Sequence, residues 1–342
     1  MAAVKPFRAL RYDERRAGPL ASLVAPPYDV ISDEERETYL ARSPFNVVHL
    51  TLPDDVERSA RELTEWRQEG ILIRDDEPAV WWLAQDYTGP DGVARRRDGL
   101  VCALRAEPYS AGVILPHELT HAGPKEGRLR LLRATRTHVE PLFFLYDGSL
   151  AGPGGEADLE VDLDGVRSRL WRIEQEPPPE LADAQLLIAD GHHRYETALA
   201  FHEEDGTEAS GWLLAVIVPT EQEGLTILPT HRIAERVNGI PELAPDGDVE
   251  VYTRSGSGWL RTPPGELDAE VVARVAPDVR YTPSADEARA AVDAGEAEAA
   301  FLLRAPTIEQ VAAVAAAGRT MPQKSTYFFP KLTSGLLLLP LD

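Results

Sequence analysis

Cysteine is almost absent from this chain: of its 342 residues, only Cys102 is a cysteine. A single thiol cannot form an intrachain disulfide, and it cannot build a thiolate metal site on its own. Positive charge is also scarce, because 57 acidic side chains outnumber 35 Lys and Arg side chains and leave a net charge of −22. Nucleic acids and anionic membranes bind positive surfaces, so we expect neither as a partner. A small basic pocket for a phosphate is compatible with this balance.

Long apolar runs are missing as well. A run such as Leu336–Leu339 is far shorter than the roughly 20 residues that cross a membrane. The first ten residues contain Lys5 and Arg8 and lack the apolar core of a signal peptide. The sequence has no Walker-type loop, no G-x-G-x-x-G and no G-x-S-x-G, which excludes the common nucleotide-binding and serine-hydrolase scaffolds. We therefore expect a soluble, cytoplasmic protein, and the sequence does not indicate its oligomeric state.

What is present is an alternation of strand-like and helix-like segments. Helical spacing predicts helices over 56–69 and 128–136, and apolar runs predict strands at 47–52, 80–83, 100–104, 141–146, 186–189 and 212–218. This alternation predicts an α/β or α+β fold with mixed sheets. Glycine, proline and small residues gather at 148–155, which predicts an N-terminal region over 1–150 and a C-terminal region over 151–342. One intertwined unit is the alternative.

The strongest chemical signal is the segment Asp190-Gly191-His192-His193-Arg194, which follows an apolar strand and opens a helix. The unpaired N–H groups and the positive dipole end of a helix start favour an anion. Gly191 permits the tight turn, and Arg194 can bind a phosphate through two nitrogens. Asp190 can bind Mg²⁺ or accept a proton. In the alternative interpretation, Asp190 only caps the helix and the other side chains pair with nearby acids.

A second signal, His117-Glu118-Leu119-Thr120-His121, matches the H-E-x-x-H pattern of zinc hydrolases. Such a site needs a continuous helix across both histidines and a third ligand, for which Glu140 is the nearest acid at a usable distance, beyond a separate helix. Pro116 before the pattern and Gly123-Pro124 after it leave room for a turn or two of helix. Zinc hydrolysis is therefore an alternative, and we expect His117 and Glu118 to serve a different chemistry.

Three further groups of residues are candidate ligand contacts. Lys125 and Arg128 lie just downstream of Glu118, where they suit a phosphate or form a solvated face. Tyr28 and Asp29 stand at the tip of a rigid proline-rich segment, and the alternative is a simple turn before a helix that starts near residue 33. The third group consists of Asn46, a candidate contact for the substrate, and of Lys324 and Ser325, candidate contacts for a phosphate.

Four segments together resemble a widespread prokaryotic family known as domain of unknown function 1015. They are PPYDVIS (Pro26 to Ser32), HE-x-T with the following Pro-Lys (His117 to Lys125), DGHHRYETA (Asp190 to Ala198) and MPQKSTYFFPKL (Met321 to Leu332). The DGHHR turn is also similar to the turn of the ParB/sulfiredoxin-like superfamily, whose free serine kinases phosphorylate L-serine with ADP or ATP. His192 stands where sulfiredoxin has its catalytic cysteine, so the resemblance does not imply cysteine-based redox repair.

The resemblance implies a ParB/sulfiredoxin-like core elaborated by additional α/β elements. It implies a serine-kinase-like phosphotransferase that acts on a small hydroxyl metabolite with ATP or ADP and Mg²⁺. Glu118, Asp190 and His192 are then the predicted catalytic residues, and Asp190 is also the predicted Mg²⁺ ligand. The predicted nucleotide contacts are His117, Lys125, Arg128, Gly191, His193, Arg194, Lys324 and Ser325, and the predicted substrate contacts are Tyr28, Asp29 and Asn46.

Two alternatives to the kinase remain open. One is a non-enzymatic regulatory module that binds a nucleotide, and the other is the H-E-x-x-H zinc hydrolase. The kinase prediction requires the segments near residues 118 and 192 to share one small electropositive cavity.

Overall fold

The computed structural model describes residues 2–118, 122–240 and 242–342. Its α-helices are α1 (Glu14–Ala17), α2 (Asp33–Arg42), α3 (Val48–Thr51), α4 (Val56–Gln68), α5 (Ala122–Thr135), α6 (His192–Asp205), α7 (Asp268–Val275), α8 (Ala285–Asp293) and α9 (Ile308–Ala316). Its strands are β1 (Val4–Lys5), β2 (Leu10–Tyr12), β3 (Leu72–Arg74), β4 (Val80–Thr88), β5 (Ala94–Arg105), β6 (Ile114–Leu115), β7 (Thr137–His138), β8 (Leu142–Tyr146), β9 (Leu159–Leu163), β10 (Val166–Ile173), β11 (Leu186–Asp190), β12 (Trp212–Pro219), β13 (Thr226–Leu228), β14 (His231–Ala234), β15 (Val249–Thr253), β16 (Gly256–Leu260), β17 (Arg280–Thr282), β18 (Ala299–Leu302), β19 (Tyr327–Phe329) and β20 (Leu339–Pro340). Short 3-10 turns join several of these elements.

The chain forms two compact units. The first consists of Met1–Leu115, His121–Leu225 and Pro330–Asp342, and the second of Pro116–Thr120 and Thr226–Phe329. This division differs from the predicted boundary at residue 150. Strands on both sides of that point, β8 before it and β9 to β12 after it, belong to one sheet, so hydrogen bonding unites the two predicted regions.

The first unit is built on a nine-stranded sheet in the order β6-β11-β8-β12-β5-β4-β10-β9, with β1 beside β5. Parallel pairs, such as β8 with β12, occur next to antiparallel pairs, such as β8 with β11. The predicted mixed-sheet α/β class is therefore confirmed. One face of the sheet packs against α6, because Tyr195 and Ala198 join the buried strand residues Trp82, Phe144 and Ile188 in one core. This packing fixes the start of α6 at the end of β11.

The second unit has a five-stranded sheet in the order β16-β15-β18-β14-β17. Successive residues of β18 point to opposite faces of that sheet. Phe301 packs with Val272 of α7 in one core, and Ala300 packs with Val292 of α8 in the other. Helices α7 and α8 thus form layers over the two faces of this sheet.

The predicted strand at 47–52 is wrong, because its centre forms the short helix α3. The Asn46 side chain accepts the N–H of Val48 at 3.0 Å and starts a helical turn. Val47, Val48 and Leu50 are all fully buried. A short segment that is buried on every side has no polar face, so its apolar, β-branched sequence has the same pattern as a buried strand. The other predicted helices and strands coincide with observed elements within a few residues, or overlap longer ones.

Within the described part of the chain, no helix combines the length and the apolar character that crossing a membrane requires.

Candidate active site

The DGHHR segment forms the junction between β11 and α6. The pairing of β11 with β8 shifts register between Ile188 and Asp190. The side chain of the last strand residue therefore changes direction, as it does at a β-bulge. Gly191 follows with φ +98° and ψ 26°, a left-handed conformation that side chains other than glycine rarely adopt. The 14-residue helix begins at His192, and Gly191 at its N-cap position has no side chain that could cap it. The backbone N–H groups and the dipole at the start of a helix favour an anion.

Asp190 lies between two cations. Its Oδ2 accepts a hydrogen bond from Nη2 of Arg194 at 2.9 Å, and its Oδ1 accepts one from Nζ of Lys331 at 2.5 Å. All three side chains are mostly buried, which strengthens these charge-assisted hydrogen bonds. One carboxylate thus binds two cations at the start of α6. Lys331 was not among the predicted site residues, although it lies in the closing motif, one residue before its end.

Arg194 is nine-tenths buried at this junction. Its Nη1 donates to the carbonyl oxygen of Pro141 at 2.5 Å, which ties α6 to the residue before β8. Burial alone would lower the pKa of the guanidinium, but the carboxylates of Glu140, Asp190 and Asp29 outweigh it, and the net effect raises that pKa. Arg194 is therefore a fixed and permanently charged cation.

Glu140 is a buried carboxylate that links three segments of the first unit. Its Oε1 accepts the backbone N–H of Tyr28 at 2.8 Å and the hydroxyl of Ser334 at 3.3 Å. Burial raises the pKa of Glu140, while the nearby Arg194 and Arg128 oppose that rise. The sequence predicts Glu140 only as the third ligand of a zinc site. Because 112 residues separate Glu140 from Tyr28, no local sequence pattern indicates the hydrogen bond between them.

The predicted contacts Tyr28, Lys125 and Arg128 lie beside these groups. The Arg128 guanidinium stacks over the Tyr28 ring at 4.1 Å and donates to the carbonyl oxygen of Thr51 at 2.6 Å. Lys125 pairs with Glu196 of α6. Burial raises the pKa of Tyr28 to about 12, so its hydroxyl stays protonated at neutral pH. The PPYD and DGHHR motifs are thus brought together in the first unit.

A small cavity opens among these residues. It has a volume of about 40 Å³ and is lined by Arg128, His138, Glu140, Arg194 and Thr197, together with Leu131, Leu132, Thr137 and Val139. That volume is enough for more than one water molecule. Its lining combines the charged groups of Arg128, Glu140 and Arg194 with apolar side chains.

Asn46 and Asp29 occupy different environments. Asn46 is fully buried, and its amide nitrogen donates to the carbonyl oxygens of Ser22 and Val24 at 2.8 and 3.2 Å. These bonds, with the one to Val48, stabilise the loop before α3. Asp29 is exposed and acts electrostatically on Arg194. A substrate contact by either residue stays a prediction.

The other two predicted motifs meet in the second unit. His117 Nε2 lies 2.9 Å from the Thr326 hydroxyl, and the His117 carbonyl oxygen accepts the N–H of Met321 at 2.7 Å. Glu118 and Met321 form an isolated parallel bridge. The hydroxyl of Ser325 donates to the Pro322 carbonyl oxygen at 2.5 Å. The HE segment and the QKST segment are therefore neighbours, as no spacing in the sequence had indicated.

Lys324 lies in the same QKST segment and has a positive φ of 53°, which is uncommon for a residue with a side chain. Nearby, Nη2 of Arg232 donates to the carbonyl oxygen of Gln323 at 3.2 Å. Burial lowers the pKa of Arg232 to about 10, against the opposing effect of Tyr281 and Glu118. Glu118 thus has a cation close to it within its own unit.

The zinc alternative depends on His121, which lies outside the described residues. Among the residues that are described, no group of three or more His, Cys, Asp or Glu side chains is arranged to hold a metal ion. The H-E-x-x-H interpretation stays a prediction.

Three solved structures are similar to this chain. A free serine kinase in complex with AMP has a TM-score of 0.41 and 15% identity, covering 70% of this chain and 92% of its own. SbnI with a C-terminal truncation, from Staphylococcus aureus, has a TM-score of 0.42 and 12% identity, with coverages of 70% and 87%. A conserved hypothetical protein from Pyrococcus furiosus has a TM-score of 0.39 and 16% identity, with coverages of 70% and 95%. No curated protein matches the chain.

Family membership follows from the sequence itself. The sequence model described as protein of unknown function (DUF1015) matches residues 4–287. That range is most of the chain and contains the PPYDVIS, HE-x-T and DGHHR segments. The family resemblance is confirmed, whereas the relation of the DGHHR turn to the ParB/sulfiredoxin-like superfamily stays a prediction. The chain belongs to the DUF1015 family.

Proposed function

We propose that this protein is a nucleotide-dependent phosphotransferase that acts on the hydroxyl group of a small metabolite. One observation carries the proposal: the buried guanidinium of Arg194 is held at the first turn of α6, directly after a glycine in the left-handed conformation. Phosphoryl transfer depends mainly on positioning and on neutralising charge, so a rigid cationic turn suits it without a covalent nucleophile.

In this proposal the first turn of α6 binds the phosphates of ATP or ADP. The backbone and side chains of His192 and His193 contact phosphate oxygens, and Gly191 lets the chain approach them closely. Arg194 neutralises the phosphate charge, and Lys125 and Arg128 add positive charge next to α6. The contacts proposed for Lys324 and Ser325 rest on the sequence.

The reaction transfers the terminal phosphoryl group to the acceptor. The acceptor oxygen forms a bond to phosphorus while the bond from phosphorus to the bridging oxygen of the nucleotide breaks. ATP then leaves as ADP, or ADP as AMP, and the product is a phosphate monoester. The proton of the acceptor hydroxyl passes to a general base, for which the sequence proposes Glu118.

Mg²⁺ would neutralise charge on the nucleotide phosphates when it is bound. Asp190 is the proposed protein ligand, and both of its oxygens bind cations in the structure. Mg²⁺ is commonly held by one or two carboxylates together with substrate phosphates and water. Asp190 would therefore hold a Mg²⁺ that arrives with the nucleotide, and its carboxylate oxygens would be shared between that ion and the two side-chain cations.

The test is incubation of the purified protein with ATP or ADP, Mg²⁺ and a mixture of small hydroxyl compounds that includes amino acids. A new phosphate-monoester signal in phosphorus NMR supports the proposal. Arg194→Ala is expected to abolish nucleotide binding measured by calorimetry. Arg194→Lys keeps the charge without the forked contacts and should bind weakly. The control Arg95→Ala removes an exposed arginine that pairs with Asp91, and it should bind as the wild type does.

Glu118→Gln separates the base from the binding site. We expect nucleotide affinity to be retained and turnover to fall by roughly 10²–10⁴-fold, the usual contribution of a general base. Turnover close to that of the wild type would place the base elsewhere. Nucleotide binding without any turnover of the wild-type protein would overturn the phosphotransferase and favour the regulatory module.

A further inference from the structure

Arg97 is a cation in the middle of the large sheet of the first unit. It lies in β5 and is only 1% exposed, with its guanidinium over the Phe143 ring at 4.6 Å. Within the part of the chain that the structure describes, its Nε and Nη1 have no hydrogen-bond partner. Desolvating a guanidinium that leaves two of its nitrogens unbonded carries a free-energy cost. Burial lowers the pKa of Arg97 to about 10, which still leaves it charged at neutral pH.

The third nitrogen of Arg97 shows what the side chain holds. Its Nη2 donates to the carbonyl oxygen of Pro330 at 2.6 Å and also to Oε1 of Gln85. Gln85 stands directly opposite Arg97 on β4, is also 1% exposed, and donates from Nε2 to the carbonyl oxygen of Lys331 at 3.3 Å. Two buried side chains on neighbouring strands therefore hold two consecutive carbonyl groups. We call this arrangement of Arg97 and Gln85 the backbone clamp.

The clamp fixes the backbone from which the Lys331 side chain reaches the start of α6. Its ammonium group binds Asp190 Oδ1 at 2.5 Å, while Arg194 binds the other oxygen of the same carboxylate. Arg97, Arg194 and Lys331 bring three positive charges close to Asp190, while Glu140 and Asp29 lie near Arg194. Guanidinium and ammonium groups clustered in this way suit a phosphate, whose oxygens accept charge-assisted hydrogen bonds.

We propose that Lys331 is a further phosphate-binding cation of the site at the start of α6, and that Arg97 and Gln85 are the residues that position it. The inference rests on the proposed function, since the phosphate is the terminal phosphate of the nucleotide. Asp190 keeps the ammonium group of Lys331 aligned beside Arg194 until the phosphate arrives. Lys331 then shares its hydrogen bonds between the carboxylate and the phosphate oxygens.

Lysine labelling tests the clamp without any nucleotide. The chain has four lysines (Lys5, Lys125, Lys324 and Lys331), so acetylation by acetic anhydride can be followed at each one by mass spectrometry. In the wild type, Lys331 should react slowly because its ammonium group is paired and mostly buried. Arg97→Met should raise the labelling rate of Lys331 by about tenfold, the effect of releasing roughly 1.4 kcal/mol of such pairing.

Two variants keep that test decisive. Gln85→Met removes the second half of the clamp and should also increase labelling of Lys331, so the test survives if Arg97→Met does not fold. Arg95→Met is the matched control, because Arg95 lies two residues away on the same strand and pairs with Asp91 near the surface. Unchanged labelling of Lys331 in a folded Arg97→Met or Gln85→Met variant would overturn the positioning role, whatever the protein does with nucleotides.

Nucleotide protection tests the phosphate contact. ATP with Mg²⁺ should slow the labelling of Lys331 in the wild type and leave Lys5 unchanged. Lys331→Met should weaken ATP binding by roughly 10- to 100-fold, the size expected for a hydrogen bond to a charged group, and Lys331→Arg should restore part of it. The control Lys5→Met, which removes a cation stacked on Trp212, should bind normally.

The outcomes separate this inference from the proposed function. If ATP binds and turnover occurs but Lys331 is neither protected nor needed for affinity, the contact from Lys331 is wrong and the phosphotransferase stands. If ATP does not bind to the wild-type protein, the proposed function fails, and the phosphate role of Lys331 fails with it. The labelling of the clamp variants still reports the positioning of Lys331 in that case.

Discussion

Several polar side chains of the first unit are buried beside the candidate site, and burial shifts their pKa values in opposite directions. His138 is 7% exposed, and its Nε2 has no hydrogen-bond partner among the described residues. Burial lowers the pKa of His138 to about 4, and the nearby Arg194 adds to this effect. Burial raises the pKa of Glu140. Because the charged form of each is disfavoured by the same low dielectric, an acid and a base in one cavity shift toward their neutral forms.

At this scale we predict that His138 makes the protein sensitive to acid. The imidazole titrates near 6.5 when unfolded and near 4 when folded, so between these values the unfolded state binds one more proton. The free energy of unfolding should therefore fall by about 3 kcal/mol as the pH drops from 6.5 to 4. Urea unfolding at a series of pH values measures this.

His138→Gln removes the titration and should flatten the curve over that range. The raised pKa of Glu140 acts in the opposite sense, since its stabilisation is complete below its ordinary pKa of 4.5 and is lost as the pH rises through the higher folded value. That contribution is common to both proteins, so their difference isolates His138. Parallel curves for the wild type and His138→Gln would contradict the prediction.

At the scale of elements, the junction of β11 and α6 shows how local geometry determines a site. The strand ends at a shift in register, one glycine reverses the chain, and the helix starts without a side-chain cap. A Cβ atom on Gly191 would lie 3.1 Å from Nη2 of Arg194, in addition to the strain of a positive φ. The glycine therefore serves both the turn and the space that the arginine needs.

We predict that Gly191→Ala weakens nucleotide binding through both effects. Backbone strain should lower the free energy of unfolding by about 1–2 kcal/mol, and the displaced guanidinium should reduce affinity for ATP at least tenfold. The matched control is Gly206→Ala at the other end of α6. Gly206 also has a positive φ, 66°, but a Cβ there meets no atom within 4 Å.

The two variants should lose similar stability in urea unfolding, while calorimetry should show a loss of affinity only for Gly191→Ala. Equal ATP affinities for the two variants would show that Gly191 serves the turn alone.

At the scale of the whole molecule, the net charge of −22 is the dominant electrostatic feature. Most arginines pair with carboxylates, as Arg133 does with Glu204 and Arg304 with Asp268. Exposed pairs of this kind contribute little on average, whereas the excess of unpaired negative charge repels itself in the folded state. The cationic group at the start of α6 is buried within this acidic chain. The negative electrostatic field of the chain favours small anions that carry a counterion over anions that carry none.

We predict that salt stabilises the protein. Raising NaCl from 0.05 to 1 M shortens the Debye length to about 3 Å and screens the repulsion. For a chain of 342 residues, a gain of about 1–2 kcal/mol corresponds to an increase of roughly 1–3 °C in the midpoint of thermal unfolding. Differential scanning calorimetry at several NaCl concentrations measures it. A midpoint that falls with salt would show that the ion pairs outweigh the repulsion.

The sequence by itself determined the class of the fold, nearly all of the helices and strands that it predicted, and the family. These properties depend on local patterns: the period of apolar residues, capping boxes such as Ser32 with Glu35, and glycines at turns. It also placed the DGHHR turn between a strand and a helix, because an apolar run followed by a glycine and a helical pattern is itself local.

Tertiary structure alone decided which distant residues meet. Lys331 binds Asp190 across 141 residues of chain, and Arg97 holds the Pro330 carbonyl group across 233. Sheet order determines such contacts, since β11 pairs with β8, and β12 joins β8 to β5, through hydrogen bonds that no short window of sequence encodes. In the same way, Arg97 is buried whereas its neighbour Arg96 is exposed. The two side chains point to opposite faces of β5, and the rest of the unit covers the face of Arg97.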